Sequence, residues 1–287
     1  MKTRIISALV GTVLLLTVLF CPWWVLGIVA AAAAAIAVWE LLHNTGIVKP
    51  TVFTVGSMAF AVLEVLAISR VVELDLHNYM LSPFLALLFA LYDALPLLLI
   101  AVYALFALIV SLCRRKAGVW KGFGLTAYAT LGFAALAALR NSSDVFGLPY
   151  VLLPLVIAWM SDIGAYFTGV FFGKHKMAPV ISPKKTWEGF FGGWAISVGL
   201  TAVYGLICNV LMDPLFSWRV DIGLFAVMAV VLAPLSVVGD LLASLIKRRC
   251  GIKDYGNIMP GHGGVMDRFD SVVFIAPLVW IVLAFCG

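Results

Sequence analysis

The stretch WWVLGIVAAAAAAIAVWELL, residues 23–42, is apolar along almost its whole length and is about as long as a helix that crosses a bilayer. Runs of similar length recur along the 287-residue chain, of which 64% is hydrophobic and 11% charged. Each run is expected to be helical, because a helix satisfies its own backbone hydrogen bonds in lipid. The sequence therefore predicts an all-α, polytopic integral membrane protein.

Nine membrane-spanning helices are predicted, at residues 4–20, 23–42, 51–69, 94–113, 122–139, 149–172, 188–211, 222–247 and 269–286. The first run follows Lys2 and Arg4 but lacks the small residues of a signal-peptide cleavage site, so it is taken as a span. A shorter apolar stretch, 80–93, is interrupted by Pro83 and Asp93. It is expected to be interfacial or re-entrant, and it leaves a ten-span count open.

The charged residues are distributed unevenly across these spans. Of the 19 lysines and arginines, Arg70, Arg140 and Arg219 fall on one side of a nine-span arrangement and the other sixteen fall on the side of the N-terminus. Positive residues favour the cytoplasmic side, so a cytoplasmic N-terminus is predicted. The net charge of +5 is then explained by topology and by anionic lipid headgroups, and no nucleic-acid partner is expected. The five cysteines form no Cys-x-x-Cys pair, which argues against a disulfide framework or a thiolate metal site.

The chain changes character along its length. Up to about residue 113 the polar residues within spans are few, chiefly Glu40 and Glu64, whereas from about 158 onward polar residues and glycines cluster at the predicted cytoplasmic ends. Residues 1–113 are interpreted as N-terminal transmembrane helices and 114–287 as a catalytic transmembrane region, within one continuous membrane domain. Glu40 is expected to snorkel to the interface. Glu64 lies deeper, and both a structural and a functional role stay open for it.

The segment SDIGAYFTGVFFGKHK, which begins at Ser161, places Asp162 and Tyr166 on one helix face. Small residues recur at every fourth position from Ala165 to Gly173, a spacing that lets a neighbouring helix come close. A carboxylate inside an apolar span is costly unless it has a partner. Asp162 is therefore expected either to be paired structurally or to bind a cation or ligand.

The segment ISPKKTWEG, which begins at Ile181, reads as a helix start with Ser182 as N-cap and Pro183 as the first helical residue. Lys184 and Lys185 then lie in the first turn, where cations oppose the helix dipole. A bound phosphate would explain them, because it could take backbone N–H donors and two ammonium groups. Nonspecific contact with lipid headgroups is the alternative.

The segment GDLLASLIKRR, which begins at Gly239, carries a polar stripe. Asp240, Ser244 and Lys247 are spaced four and three residues apart and so share a helix face, which Arg248 extends. A helix that only packs in lipid does not need such a stripe, although packing of paired charges stays open.

The segment PGHGGVMDRFD ends at Asp270 and combines a glycine turn with two carboxylates. Gly263 and Gly264 flank His262, and glycines let backbone N–H groups approach phosphate oxygens. Asp267 and Asp270 are three residues apart at a predicted helix start, so both face one way. Two such carboxylates suit Mg²⁺, which also takes substrate phosphates, although they would also favour the helix dipole without any ligand.

The order S-L-I-K-R-R, then K-D, then P-G-H-G-G-V-M-D-R-F-D resembles the signature of the phosphatidate cytidylyltransferases, also called CDP-diacylglycerol synthases. The upstream S-P-K-K-T-W-E-G and the Asp162–Gly164 segment also resemble family features. The resemblance is specific over residues 158–271, and the N-terminal spans match only in apolar character.

The resemblance implies an integral membrane enzyme of phospholipid biosynthesis. It would join CTP and phosphatidate to give CDP-diacylglycerol and pyrophosphate, with Mg²⁺ as cofactor and a second cation left open. A bacterial inner membrane, an active site that faces the cytoplasm and a homodimer are expected.

Three sets of site residues follow. Those predicted to act in catalysis are Asp240, Ser244, Lys247, Arg248, His262, Asp267, Arg268 and Asp270. Those predicted to bind substrate are Asp162, Ser182, Lys184, Lys185, Gly263 and Gly264. The predicted Mg²⁺ ligands are Asp240, Asp267 and Asp270.

Other functions fit parts of the pattern. A CTP-dependent polyprenol or dolichol kinase would use similar phosphate-binding groups but would transfer the γ-phosphoryl group. An ion-coupled transporter could use Asp162, Asp240 and Glu64 as coupling sites, but transporter sites lie near the midplane between repeats, and no repeat is apparent. A scaffold that only anchors anionic lipid would not need the paired aspartates.

Overall fold

The computed structural model describes residues 2–48, 51–70, 83–114, 118–142, 147–216, 218–259, 261 and 263–286. Its helices are α1 (Lys2–Phe20), α2 (Trp23–Trp39), α3 (Thr51–Ile68), α4 (Pro83–Arg114), α5 (Gly118–Asn141), α6 (Gly147–Phe172), α7 (Trp187–Phe216), α8 (Ile222–Arg249) and α9 (Met266–Cys286). A one-turn π-helix, Glu40–Asn44, follows α2 directly. An antiparallel hairpin of β1 (Lys176–Ala178) and β2 (Ser182–Thr186) joins α6 to α7. The predicted all-α class is confirmed.

Every predicted span falls on one of these helices. Among the described residues, seven helices are long and apolar enough to cross a membrane, and Val10–Phe20 and Val52–Ile68 are shorter apolar helices. Of the stretch 80–93, residues 80–82 lie outside the described residues, and residues 83–93 are the first turns of the unbroken 32-residue helix α4 rather than a separate element. Pro83 stands at the first helical position, where its missing N–H is not needed. No tenth span therefore arises within residues 83–114.

The chain packs as two compact units. The first comprises Met1–Asp144 and Tyr255–Met266, and the second comprises Val145–Asp254 and Asp267–Gly287. These units are defined by packing, whereas the predicted boundary near residue 113 was drawn from the distribution of polar residues. That boundary stays a prediction.

Small side chains line the contacts of α2 within the first unit. Helix α2 packs against α3 and α5, and its alanines Ala30, Ala34 and Ala37 are buried. Such residues let helix backbones approach closely where lipid provides no hydrophobic driving force. Arg140 of α5 is also buried and donates to the carbonyls of Leu19 and Cys21, at 3.3 Å and 3.2 Å. It thereby satisfies carbonyl groups at the end of α1.

Glycines build the corresponding contact in the second unit. A Cβ atom at Gly164 of α6 would lie 3.0 Å from the Cα of Gly193 of α7, and one at Gly189 would lie 2.8 Å from the carbonyl of Ala165. The prediction that the small residues of this segment admit a close neighbour is therefore confirmed, and the neighbour is α7. In the same unit, Gly239 of α8 leaves room for Phe274 of α9.

The predicted helix start at Ser182 and Pro183 is wrong. Residues Ser182–Thr186 form β2, whose Thr186 pairs with Lys176 of β1, and the helix begins at Trp187. Proline disfavours helical backbone at the residue before it, and its own fixed φ is compatible with an edge strand. The hydroxyl of Thr186 instead caps α7 by accepting from the N–H of Gly189, at 3.2 Å.

Candidate active site

The predicted polar stripe of α8 exists. Ser244 Oγ lies 3.5 Å from Asp240 Oδ1, and Lys247 lies on the same face within the last turn of the helix. Lys247, Arg248 and Arg249 also complement the negative end of the helix dipole. The helix dipole explains why these residues are positively charged, but it does not explain Asp240 and Ser244 earlier on the same face.

Two lysine–aspartate pairs join this stripe to neighbouring elements of the second unit. Lys247 Nζ lies 2.9 Å from Asp267 Oδ1 of α9, and Lys185 Nζ of β2 is paired with Asp240 Oδ2. The side chains of Lys247 and Asp267 are 12% and 4% exposed, so this pair is nearly enclosed. Burying a charged side chain costs free energy unless it has a partner of opposite charge. A nearly enclosed ion pair is therefore unusual in a chain with so few charged residues.

The start of α9 adds a further carboxylate. Asp270 is buried, and its Oδ1 accepts from the N–H of Ser271 at 2.8 Å. It also interacts electrostatically with Asp240, Lys247 and Asp162. Asp267 and Asp270 therefore both interact with Lys247, a partner that their spacing in the sequence does not identify.

Asp162 lies beside this group rather than sealed within the helix bundle. It is exposed and lines a cavity of about 250 Å³, together with Tyr166, Ser182, Lys184, Lys185 and Phe190. Asp162 also interacts electrostatically with Lys185 and Asp240. The cavity therefore brings together residues that the sequence analysis assigned to two separate segments.

The hairpin, and not a helix N-terminus, presents the two lysines of this cavity. Lys184 is exposed, whereas Lys185 is partly buried and reaches Asp240. Both lysines nonetheless line the cavity, although successive residues of a strand point to opposite faces. Arg248 Nε lies 3.5 Å from the carbonyl of Ile181, at the other end of the hairpin.

The donor set fits a divalent cation that shares its coordination with phosphates. Within the described ranges, no three His, Cys, Asp or Glu side chains are grouped closely enough to hold a metal ion by themselves. Mg²⁺, however, is usually bound by one or two carboxylates plus substrate phosphates. Asp240 and Asp270, which interact electrostatically, are the candidates for that role. Asp240 and Asp267 are each paired with a lysine, which a bound cation would have to replace.

A family model described as the cytidylyltransferase family matches residues 2–286. The chain belongs to this family. It is 32% identical to the phosphatidate cytidylyltransferase of Staphylococcus haemolyticus strain JCSC1435 over 287 residues, 99% of each chain. The proteins of the same name from Staphylococcus saprophyticus and Staphylococcus aureus strain COL are 32% and 31% identical over the same extent.

The glycine turn of this cytidylyltransferase-family chain belongs to the first unit. Gly261 and Gly263 take positive φ angles of 77° and 87°, which only glycine adopts readily, and Met259 N–H donates to the Gly263 carbonyl at 3.0 Å. Gly264 is glycine for another reason, since a Cβ there would overlap the carboxylate of Glu40. His262 lies outside the described residues. Arg268 is exposed in the first turn of α9.

Two residues organise these segments in ways that the sequence did not predict: Glu188 was not singled out, and the prediction for Glu40 is wrong. Glu188 closes the hairpin, because its carboxylate accepts from the N–H groups of Lys174 and His175 and lies 2.6 Å from His175 Nδ1. Glu40 does not snorkel, since it is 1% exposed and accepts from the N–H groups of Val265 and Met266. The only sequence signal for Glu40 was a carboxylate inside an apolar span.

Proposed function

We propose that this chain is a phosphatidate cytidylyltransferase, which transfers the cytidylyl group of CTP to the phosphate of phosphatidate. The observation that carries the proposal is the polar end of α8, where Asp240 pairs with Lys185 and Lys247 pairs with Asp267. Membership of the cytidylyltransferase family supports CTP as the donor. The apolar helices around the polar group support an acceptor that is itself a membrane lipid.

The reaction is a nucleotidyl transfer. A phosphate oxygen of phosphatidate forms a bond to the α-phosphorus of CTP, and the bond from that phosphorus to the β-phosphate oxygen breaks, so that pyrophosphate leaves. A phosphomonoester has a second pKa near ~6, so the attacking oxygen is already largely ionised at neutral pH. The protein therefore has no need of a strong general base, and its task is to hold two polyanions in line.

The lysines and arginines are suited to that task. An ammonium group in an ion pair can exchange its carboxylate partner for a phosphate oxygen. Lys185 and Lys247 can therefore pair with the phosphate oxygens that gain negative charge during the transfer. We assign Lys184 and Lys185 to substrate phosphates at the cavity, together with Ser182 and Asp162, which line it. Arg248 and Arg268, both exposed, are assigned to the charge that develops on the leaving pyrophosphate.

The carboxylates of the site are the proposed ligands of Mg²⁺. Asp240 and Asp270 are assigned as its ligands, with Asp267 as the third residue of the predicted set. A bound Mg²⁺ supplies charge neutralisation for the phosphate oxygens. These carboxylates lie on α8 and α9, and helices hold side chains in place more precisely than loops do.

The location follows from charge and hydropathy. We propose that the chain lies in the cytoplasmic membrane of a bacterium with its N-terminus and active site on the cytoplasmic side, where CTP is available and where most lysines and arginines fall. A homodimer, which the family resemblance implies, is part of the same proposal and is checked by the mass of the purified protein in detergent.

The proposed reaction is tested with CTP labelled either at the α- or at the γ-phosphate. Purified protein in detergent is incubated with phosphatidate and Mg²⁺, and the lipid and aqueous phases are separated. We expect the α-label in a CDP-lipid and the γ-label in pyrophosphate. In a parallel incubation with a polyprenol, transfer of the γ-label to the lipid would assign a kinase instead. The proposal is contradicted if phosphatidate yields no α-labelled lipid.

A further inference from the structure

The segment between α8 and α9 is held at its end by a carboxylate from the far N-terminal part of the sequence. Glu40 Oε1 accepts from the N–H of Val265 at 3.0 Å, and Oε2 accepts from the N–H of Met266 at 2.9 Å. Both oxygens of one buried side chain therefore hold two successive N–H groups at the start of α9. A carboxylate is favoured there, because the helix dipole is positive at its N-terminus and the first N–H groups have no partners within the helix.

Two glycines of the same segment leave room for this carboxylate. A Cβ atom at Gly256 would lie 2.8 Å from Cδ of Glu40, and one at Gly264 would overlap the same group. Neither glycine has a positive φ, in contrast to Gly261 and Gly263. The backbone conformation at Gly256 and Gly264 therefore does not itself require glycine, and it is the Glu40 carboxylate that leaves no room for a side chain there.

The other end of the segment is held from the same turn of helix. Asn44 Nδ2 donates to the carbonyl of Tyr255 at 2.6 Å, and the side chain of Tyr255 is among the largest that are fully buried. Glu40 and Asn44 are the first and last residues of the π-helical turn that follows α2. Turns of this kind are rare and are frequently found at functional sites.

The backbone held in this way leads directly to the carboxylates of the proposed site. Met266 is followed in the chain by Asp267, and Asp270 lies one turn further along α9. We propose that Glu40 and Asn44 are positioning residues for the reaction: they fix the two ends of Tyr255–Met266 and thereby set the backbone from which Asp267 and Asp270 project. The effect on catalysis rests on the proposed function, whereas the effect on the segment does not.

The hydrogen bonds from Glu40 to the backbone of Val265 and Met266 are called the brace below. Glu40→Gln tests the brace by hydrogen exchange, which can be measured without the enzymatic reaction. The amide keeps the size of the side chain but turns one acceptor into a donor that faces a backbone N–H. We expect hydrogen exchange in the peptide spanning residues 255–268, measured in detergent without Mg²⁺ or CTP, to rise by about tenfold or more. Glu64→Gln is the matched control, because Glu64 is also a buried carboxyl of the first unit, at 3% exposure, and should leave this peptide unchanged.

Turnover supplies the second measurement. Glu40→Gln should lower kcat by about tenfold or more and change the KM for CTP much less, since misplaced carboxylates impair the transfer step more than nucleotide binding. Gly256→Ala provides an independent variant that keeps Glu40 and displaces its carboxylate. It should lower kcat in the natural background but not in Glu40→Ala, where the new methyl group has room.

The outcomes separate the two proposals. If the natural protein forms no CDP-lipid, the proposed function fails, while the exchange result still decides whether the brace exists. Unchanged exchange at residues 255–268 in Glu40→Gln would overturn the brace. A faster exchange there without loss of kcat, or a uniform rise in exchange over the whole first unit, would show that Glu40 serves stability and would overturn the positioning role. If Glu40→Gln does not fold, Gly256→Ala decides by the same criteria.

Discussion

The pair formed by Lys247 and Asp267 is the most enclosed charge pair of the candidate site. Its two side chains are 12% and 4% exposed, and Nζ and Oδ1 lie 2.9 Å apart. Removing one partner of such a pair leaves the other charge uncompensated, at a cost of roughly 3–5 kcal/mol. A substitution here therefore affects both chemistry and folding, and the two effects must be measured separately.

Asp267→Asn removes the charge while it keeps the shape and an acceptor oxygen. We expect kcat with Mg²⁺ to fall by about a hundredfold or more, because even the outer partners of metal sites are worth about 10–100-fold. The melting temperature of the purified variant should also fall, since Lys247 loses its counter-charge. The same change at Asp93, which is exposed in the first unit and paired with Arg70, should alter neither quantity appreciably. Full activity in Asp267→Asn would contradict the assignment of Asp267 to the site.

At the scale of elements, the hairpin and the start of α7 form one structure. The hydroxyl of Thr186 caps the first turn of α7, and Glu188 in that turn ties the helix back to the chain before β1. The main-chain N–H of Trp187 also donates to the carbonyl of His175, at 2.9 Å. These contacts fix the hairpin that carries Lys185 toward Asp240.

Thr186→Val tests the cap, because valine has the same shape but no acceptor. We expect the free energy of unfolding to fall by about 1 kcal/mol, the usual value of an N-cap, as measured by chemical denaturation in detergent. Thr201→Val is the matched control on the same helix. Among the described residues its hydroxyl has no hydrogen-bond partner although it is fully buried, so its removal should be neutral or stabilising. Equal losses in both variants would contradict the cap.

At the scale of the whole molecule, orientation in the membrane depends on how lysines and arginines are distributed between the loops on the two sides. The arrangement with a cytoplasmic N-terminus places Lys174 inside and Arg219 outside. Both positions are exposed and neither residue's side chain is part of the proposed site.

Single cysteines at these two positions, in a chain whose natural cysteines have been replaced, test the orientation. A maleimide that cannot cross membranes should label Arg219→Cys in intact cells and should label Lys174→Cys only after permeabilisation. Charge bias alone determines this expectation, so labelling in the reverse order would invert the proposed topology and would place the site on the outer surface.

Much of the site could be predicted because its groups are close in sequence. Asp240, Ser244 and Lys247 lie within two turns of one helix, and helical periodicity places them on one face whatever else the chain does. The helices themselves follow from apolar runs of bilayer length. The start of α7 was predicted wrongly, because Ser-Pro suits both a helix start and an extended strand, and only pairing with β1 selects the strand.

The sequence by itself determined the class of fold, the approximate positions of the helices and the helical stripe, since these depend on local composition and periodicity. Only the tertiary structure decided the partners: Lys185 with Asp240, Lys247 with Asp267, and Glu40 with the backbone of Val265 and Met266. The contacts of Glu40 join residues 225 and 226 positions apart. No local pattern encodes such a contact, because it forms only when packing in three dimensions brings a buried carboxylate to N–H groups that no helix or strand satisfies.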